Sequence, residues 1–473
     1  MWRDEVQTWL IIRHTSSFWE ILGRLKNELH PFLWYALVYP LKFLANNPEI
    51  MKPLHVLIGC VSVYIFSRFA PFSRLNKVLF VFGYFPFFEY GIIVRNYSLV
   101  LLFSFILTFL YIKWIKAKSI NKKLLWGLCG SLFLVCQTHL FGVLIGGLFF
   151  LLIILEALEK KENKFVIPIL GYGIGVVTFF LQLFPLSNFY ALAMQNSLSS
   201  KILSFDKVIF SLKSIWRGFI PIPMPILHFW NTNILDFNKY LHNIQPMLAI
   251  LILGITIIYL MQFKEKKALL FYFIGSYFYL LIIYITCYLP IRFYGFIFIL
   301  FMQSAWIGFS LQKRRNEILL SFLLIIHVIA TCVAYYFDMK YPFSAAKKTA
   351  QFINLLDTKK WIVVGYRDTP ISTLCGYLNT KIFYPQANRL GSFIKWDATS
   401  FKKLTTCEVI KKAVYIKQLT KKPVLIVLNY FPAQRDLHCL QKIKLLYVSP
   451  LAIVPDEMYS VWVINGDIKN IKQ

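Results

Sequence analysis

Apolar residues fall into long runs separated by short polar breaks, at residues 53–72, 77–94, 97–114, 124–137, 139–157, 165–184, 246–262, 268–288, 291–311 and 318–337. Each run is long enough, or nearly so, to cross a hydrocarbon layer of about 30 Å as a helix rising 1.5 Å per residue. The pattern predicts ten crossings. The apolar stretch at 32–45 is shorter and carries Pro40 and Lys42, which predicts a helix lying in the interface, where its aromatic residues suit the headgroup level. Past Tyr341 and Pro342 the pattern changes to short elements: helices at 343–356, 369–378 and 408–419, and strands at 361–365, 381–385, 423–429 and 460–465. Strands alternating with helices predict a small α/β domain over 343–473. No Gly-rich phosphate loop opens its helices, so no nucleotide site is expected.

The expected fold is therefore mainly α. A polytopic transmembrane bundle of about ten helices occupies 1–342, with interfacial helices in a first external loop (1–52) and a long external loop at 185–245. A loop of that length is expected to form helices, a lid or a binding surface, or else a packing cap over the bundle.

Composition agrees with a membrane chain: 58% of the 473 residues are hydrophobic and 15% charged, with a mean hydropathy of +0.59. The net charge of +29 would suggest nucleic acid in a soluble protein. Here the positive residues sit in short clusters between apolar runs, which a topology signal and anionic lipid headgroups explain, so no nucleic-acid partner is expected. Cys60, Cys129, Cys136, Cys287 and Cys332 lie in apolar segments as packing residues; Cys375, Cys407 and Cys439 lie in the polar C-terminal region, permit at most one internal disulfide and lack zinc-site spacing.

Alternate loops are basic: SRLNK at 73–77, KWIKAKSINKK at 113–123, EKKENK at 159–164, FKEKK at 263–267 and QKRRN at 312–316. Positive loops face the cytoplasm, which puts Lys118 and Lys266 inside and Ser197, the N-terminal stretch and the C-terminal domain outside, in a plasma or inner membrane. Two arginines break the rule. Arg95 and Arg292 fall in short external turns beside Tyr97 and Tyr294, where a cation suits a lipid phosphate or else snorkels to the headgroups. In the same layer lie Asp4 and Glu5, a carboxylate pair beside apolar sequence, with Glu89, His139 and the His30-Pro31 turn.

The order DEVQTWL, HPFLWY, the Arg95-Asn96-Tyr97 turn after PFFEYG, THLFG at 138–142 and IRFYGFIF around Arg292 resembles the GT-C superfamily of integral-membrane glycosyltransferases, nearest to the branch of protein O-mannosyltransferases and lipid A aminoarabinose transferases. The resemblance spans roughly residues 3–343. It implies transfer of a sugar, with inversion, from a polyprenyl-phosphate donor to a glycan, lipid or protein acceptor on the outer face. The family's acidic dyad corresponds to Asp4 and Glu5, and its His-Pro turn to His30-Pro31-Phe32-Leu33. Family members have a transmembrane helix just before the dyad, where this chain has three residues. A helix upstream, or a shortened version of the enzyme, is the expectation.

The chemistry asks for a base to take the acceptor proton and for positive charge on the departing phosphate. Asp4 is the expected base and Glu5 its support; Arg95 and Arg292 are the expected phosphate partners, with His30, Glu89, Tyr97, His139 and Tyr294 in supporting places. No metal site or cofactor is read from the residues, and a divalent cation is left open. Two other classes use membrane bundles: a transporter, which would place polar groups and repeats at the midplane, and an O-antigen polymerase or ligase, which would not place an acidic pair at the start of the first loop.

Overall fold

The computed structural model describes residues 1–473 except 26–27, 29, 118–120, 161–164, 185–203, 287–289, 313–315, 357–360, 398–401, 434–435 and 465–473. Lys118, Ser197, Cys287 and the first third of the predicted loop at 185–245 lie outside the described residues. The chain is mainly helical. Among the described residues eight helices are long and apolar enough to cross a membrane: Pro48–Phe69, Tyr97–Lys116, Leu140–Glu159, Val166–Leu183, Lys239–Met261, Lys266–Thr286, Ile291–Ser310 and Ile318–Lys340.

The other two predicted runs are helical but shorter. One is Lys122–Cys136, with 15 residues. The run at 77–94 is two pieces, Arg74–Val81 and a π-helical stretch Tyr84–Ile92, because Gly83 between them is extended at ψ 157°. The wide turn ends with Ile93 N–H donating to the Phe88 carbonyl, five residues back, at 3.3 Å. The run predicted at 246–262 begins earlier, at Lys239, because the Asn238 side chain accepts from the N–H groups of Tyr240 and Leu241 and caps a new first turn. Pro246 is thereby inside the helix. The described part of the predicted long loop also contains a helix, Phe205–Phe219. The predicted interfacial helix is Phe32–Val38, continued by a 3₁₀ turn at Tyr39–Phe43.

Helix Ile291–Ser310 is buried along almost its whole length, which makes it the central helix of the bundle. Gly295 lets the π-helical stretch close on it: a Cβ there would come within 2.4 Å of Phe85 and of the Tyr90 hydroxyl, which itself donates to the Arg292 carbonyl at 2.8 Å. Arg292, in the first turn of this helix, and Arg95, just past the π-helical stretch, are thus fixed at one end of the bundle.

Helix α1, Arg3–Arg13, lies across that end. One face carries Trp9 and Ile12 into a cluster with Trp34, Tyr35, Ile58 and Leu99 of the bundle. Val6 and Leu10, one turn apart, enter the core of the C-terminal domain with Ile371 and Leu374. That domain is built on a six-stranded mixed sheet of β1 (Ile362–Tyr366), β2 (Ile382–Tyr384), β3 (Arg389–Gly391), β4 (Val424–Leu428), β5 (Ile443–Val448) and β6 (Ser460–Ile464), in the order β3-β2-β1-β4-β6-β5. β1 runs parallel to β2 and β4, whereas β6 is antiparallel to β4 and β5. The edge strands β3 and β5 were not among the predicted elements. Cys407 and Cys439 form a disulfide with Cα atoms 5.4 Å apart, and Cys375 is free and buried.

Candidate active site

The N-terminus of α1 brings the acidic pair to the end of the bundle and gives the two carboxylates different tasks. Neighbouring helix residues do not face the same way. Glu5 turns inward: its carboxylate accepts from the N–H of Trp2 and from the N–H of Val94, each at 2.8 Å, tying the helix start to the strand-like residues just before Arg95. Asp4 faces Arg292, whose Nη2 donates to Asp4 Oδ2 at 2.8 Å. Arg95 Nη1 donates to the backbone carbonyl of the same Asp4. Burial works against ionisation of Asp4, but the guanidinium groups of Arg292, Arg95 and Arg3 together outweigh it and hold the carboxyl below its ordinary range.

Arg292 is enclosed by rings. Its guanidinium carbon lies 5.4 Å from the Trp2 ring centre, 5.7 Å from Trp230, 5.6 Å from Phe293 and 5.8 Å from Tyr97. Arg95 lies 5.9 Å from the centre of the same Tyr97 ring, so this tyrosine meets both cations. Among the described residues Arg292 Nε and Nη1 and Arg95 Nε are buried without a hydrogen-bond partner. Leaving such a donor unpaired costs about 1–3 kcal/mol, which an anionic ligand would recover.

His30 lies against Arg95, Nε2 to Nη2 at 2.7 Å. Arginine has no acceptor, so Nε2 of His30 accepts and the ring is neutral. Burial and then the charge of Arg95 hold its pKa well below the ordinary value. The His30 and His139 rings are 5.6 Å apart, and His139 also meets Tyr97 at 5.2 Å and Phe293 at 5.4 Å. Glu89 is one step further out: it accepts from Tyr84 at 2.8 Å and from Trp230 Nε1 at 2.9 Å, and Trp230 covers Arg292. Tyr294 is not part of the group. Two residues after Arg292 on a helix is about 200° around the axis, and its ring meets Phe210 instead, at 6.5 Å.

Several participants were not singled out in the sequence. Trp2 and Trp230 meet edge to face at 4.6 Å and roof the Arg292 site. Arg3 ties the helix start to the C-terminal domain, donating through its N–H to Glu457 at 3.0 Å and through Nη1 to Asp456 at 2.5 Å. Gln7, one turn beyond Asp4, donates to Glu28 at 2.8 Å and to the Ile394 carbonyl at 3.0 Å. The acidic residues around the site, Asp4, Glu5, Glu28 and Glu89, are held by Arg292, the N–H groups of Trp2 and Val94, Gln7 and the Tyr84–Trp230 pair respectively. Among the described residues no group of three His, Cys, Asp or Glu side chains is arranged to hold a metal ion.

No protein-family model matches the chain, and no curated protein matches it.

Proposed function

We propose that the chain is a GT-C-like membrane glycosyltransferase that moves a sugar from a polyprenyl-phosphate donor to an acceptor hydroxyl on the outer face of a plasma or inner membrane. The observation that carries this is Asp4 held at one helix-bundle end by Arg292 and Arg95, with guanidinium N–H groups to spare. The two shorter helical segments, added to the eight long ones, would complete ten crossings. The disulfide in the C-terminal domain and the alternation of basic loops both favour the outer face for the site. The charged groups of the site lie at helix ends, Asp4 in the first turn of α1 and Arg292 in the first turn of Ile291–Ser310, which favours a surface reaction over a transport path.

In this mechanism the donor phosphate sits on Arg292 and Arg95, and Tyr97 and the two tryptophans exclude water around it. The acceptor oxygen attacks the anomeric carbon from the face opposite the phosphate, while its proton passes to Asp4. The bond from the anomeric carbon to the phosphate oxygen breaks, its electron pair stays on the phosphate, and the configuration inverts. Asp4 is a weak base while paired with Arg292. A phosphate bound on Arg292 and Arg95 shares their positive charge and brings its own negative charge beside Asp4, which raises the basicity of Asp4 when the acceptor is in place. Glu5 acts by fixing the helix start.

The test is transfer from radiolabelled polyprenyl-phosphate sugars in membranes containing the chain. Label appearing in a lipid, glycan or protein acceptor, and lost in Asp4→Asn, supports the proposal; no transfer from any such donor pool removes it.

A further inference from the structure

A second feature lies on the other side of Gln7. A cleft of about 270 Å³ opens between the first 52 residues and the C-terminal domain, lined by Gly23, Arg24, Glu28, Phe393, Trp396 and Asp397 among others. Gln7 ties two of its lining residues together, donating to Glu28 and exchanging two hydrogen bonds with the backbone of Ile394. Ile11 also lines the cleft, so α1 runs from Asp4 to its wall. Its charges cancel locally. Arg24 pairs with Glu20 at 2.6 Å, Lys395 and Asp397 are of opposite sign on the same loop, and burial pushes the Glu28 carboxyl up to about 8, which keeps it uncharged at neutral pH. A neutral carboxyl both donates and accepts, as a hydroxyl-rich ligand requires. Trp396 supplies the flat apolar face on which a sugar ring stacks, while the Phe393 ring beside it carries the Arg24 guanidinium 5.3 Å from its centre.

We propose that this cleft binds an uncharged sugar ring of the acceptor, stacked on Trp396 and hydrogen-bonded to Glu28 and Asp397. The assignment of the ring to the acceptor rests on the transferase reading; the cleft's preference for a neutral saccharide does not. A ligand volume of this order suits one or two rings, and among the described lining residues the pairing of Arg24 with Glu20 and the opposite signs of Lys395 and Asp397 separate the cleft from the Arg292 site, which suits a phosphate.

The experiment is saturation-transfer NMR on the full chain in detergent with methyl glycosides of glucose, mannose, galactose and N-acetylglucosamine, and glucose 1-phosphate as the anionic control. At least one neutral glycoside is expected to bind saturably, more tightly than the control. Trp396→Ala should weaken it about tenfold or more, Glu28→Ala similarly, and Asp4→Asn should leave it unchanged. Circular dichroism on each variant separates loss of the site from loss of the fold. Binding by the control alone, or glycoside binding unaffected by Trp396→Ala, overturns the proposal. Glycoside binding that depends on Trp396 in a protein that transfers no sugar would retain the cleft and remove the transferase. Transfer that is indifferent to Trp396→Ala would do the reverse.

Discussion

Asp4 and Arg292 stand 288 positions apart in the chain and 2.8 Å apart in space. An aspartate on the first turn of a surface helix is ordinarily solvated; here it is the one described partner of a guanidinium group enclosed by four aromatic rings. The pair sets an order of importance for substitutions. Asp4→Asn is expected to preserve expression and lipid-phosphate binding and to lower transfer by at least about a hundredfold, the lower end of what removing a general base costs. Glu5→Gln should act differently. Its amide would turn a donor towards one of the two backbone N–H groups it now accepts from, costing about 1–3 kcal/mol of stability with a smaller loss of turnover below the melting temperature. Turnover and thermal melts on both variants check this; wild-type turnover in Asp4→Asn would end the case for the base.

Arg292→Lys keeps the charge and loses the fork. A lysine can reach Asp4 or a phosphate but cannot hold both with parallel N–H groups, so affinity for polyprenyl phosphate should fall about tenfold or more. Competition of the unlabelled lipid phosphate against labelled donor measures it. An unchanged inhibition constant would place the phosphate elsewhere.

Two carboxyls, half-buried Asp4 and buried Glu28, predict opposite responses to pH. Asp4 has its pKa lowered, so its contribution is present above its ordinary value of 3.8 and is lost only as pH falls through the lowered value. Acidifying from about pH 7 to about pH 5 should therefore change neither the ion pair nor its share of stability. Glu28 is raised from 4.5 to about 8, so its contribution is full below 4.5 and drains away as pH rises through about 8. The melting temperature of Glu28→Gln should gain on that of the wild type across this interval. A difference between the two that stays constant from about pH 5 to about pH 9 would show that Glu28 does not titrate there.

The disulfide offers a test of sidedness independent of any activity. If the C-terminal domain faces outward, Cys407 and Cys439 are oxidised in cells, whereas the glutathione pool would keep them reduced inside. Acid trapping followed by alkylation of the denatured chain, with and without prior reduction, should shift the Cys407→Ser, Cys439→Ser double variant differently from the wild type. Cys375, whose thiol burial pushes up to about 12, should stay unmodified until the domain unfolds. Two free thiols at 407 and 439 in freshly trapped cells would place the domain, and Asp4 with it, on the inner face.

The sequence carried the membrane helices well, because a hydrocarbon-spanning run is a strong and local signal. It misjudged the stretch at 77–94, where an extended Gly83 breaks the run without interrupting its hydropathy. Arg95 and Arg292 stood out because they broke a charge rule, and in the structure both meet Asp4. Trp2, Trp230 and Glu457 broke none. A tryptophan in an aromatic-rich chain and a glutamate in a polar tail become notable only once packing places them over Arg292 and against Arg3. Strands β3 and β5 pass at the sheet edges, where three residues of β3 show no period and the partly exposed β5 no clean alternation.

The hydrogen bond from Arg3 to Glu457 joins residues 454 positions apart, so the helix that presents Asp4 is anchored by a segment made long after it. At the usual pace of roughly 5–20 residues per second, Asp4 would wait on the order of half a minute after its own synthesis for this anchor to arrive. During that interval the long apolar helices can insert while the start of α1 is still untied from the C-terminal domain. A nascent chain stalled before Asp456 would carry all eight of those helices with Arg3 unanchored.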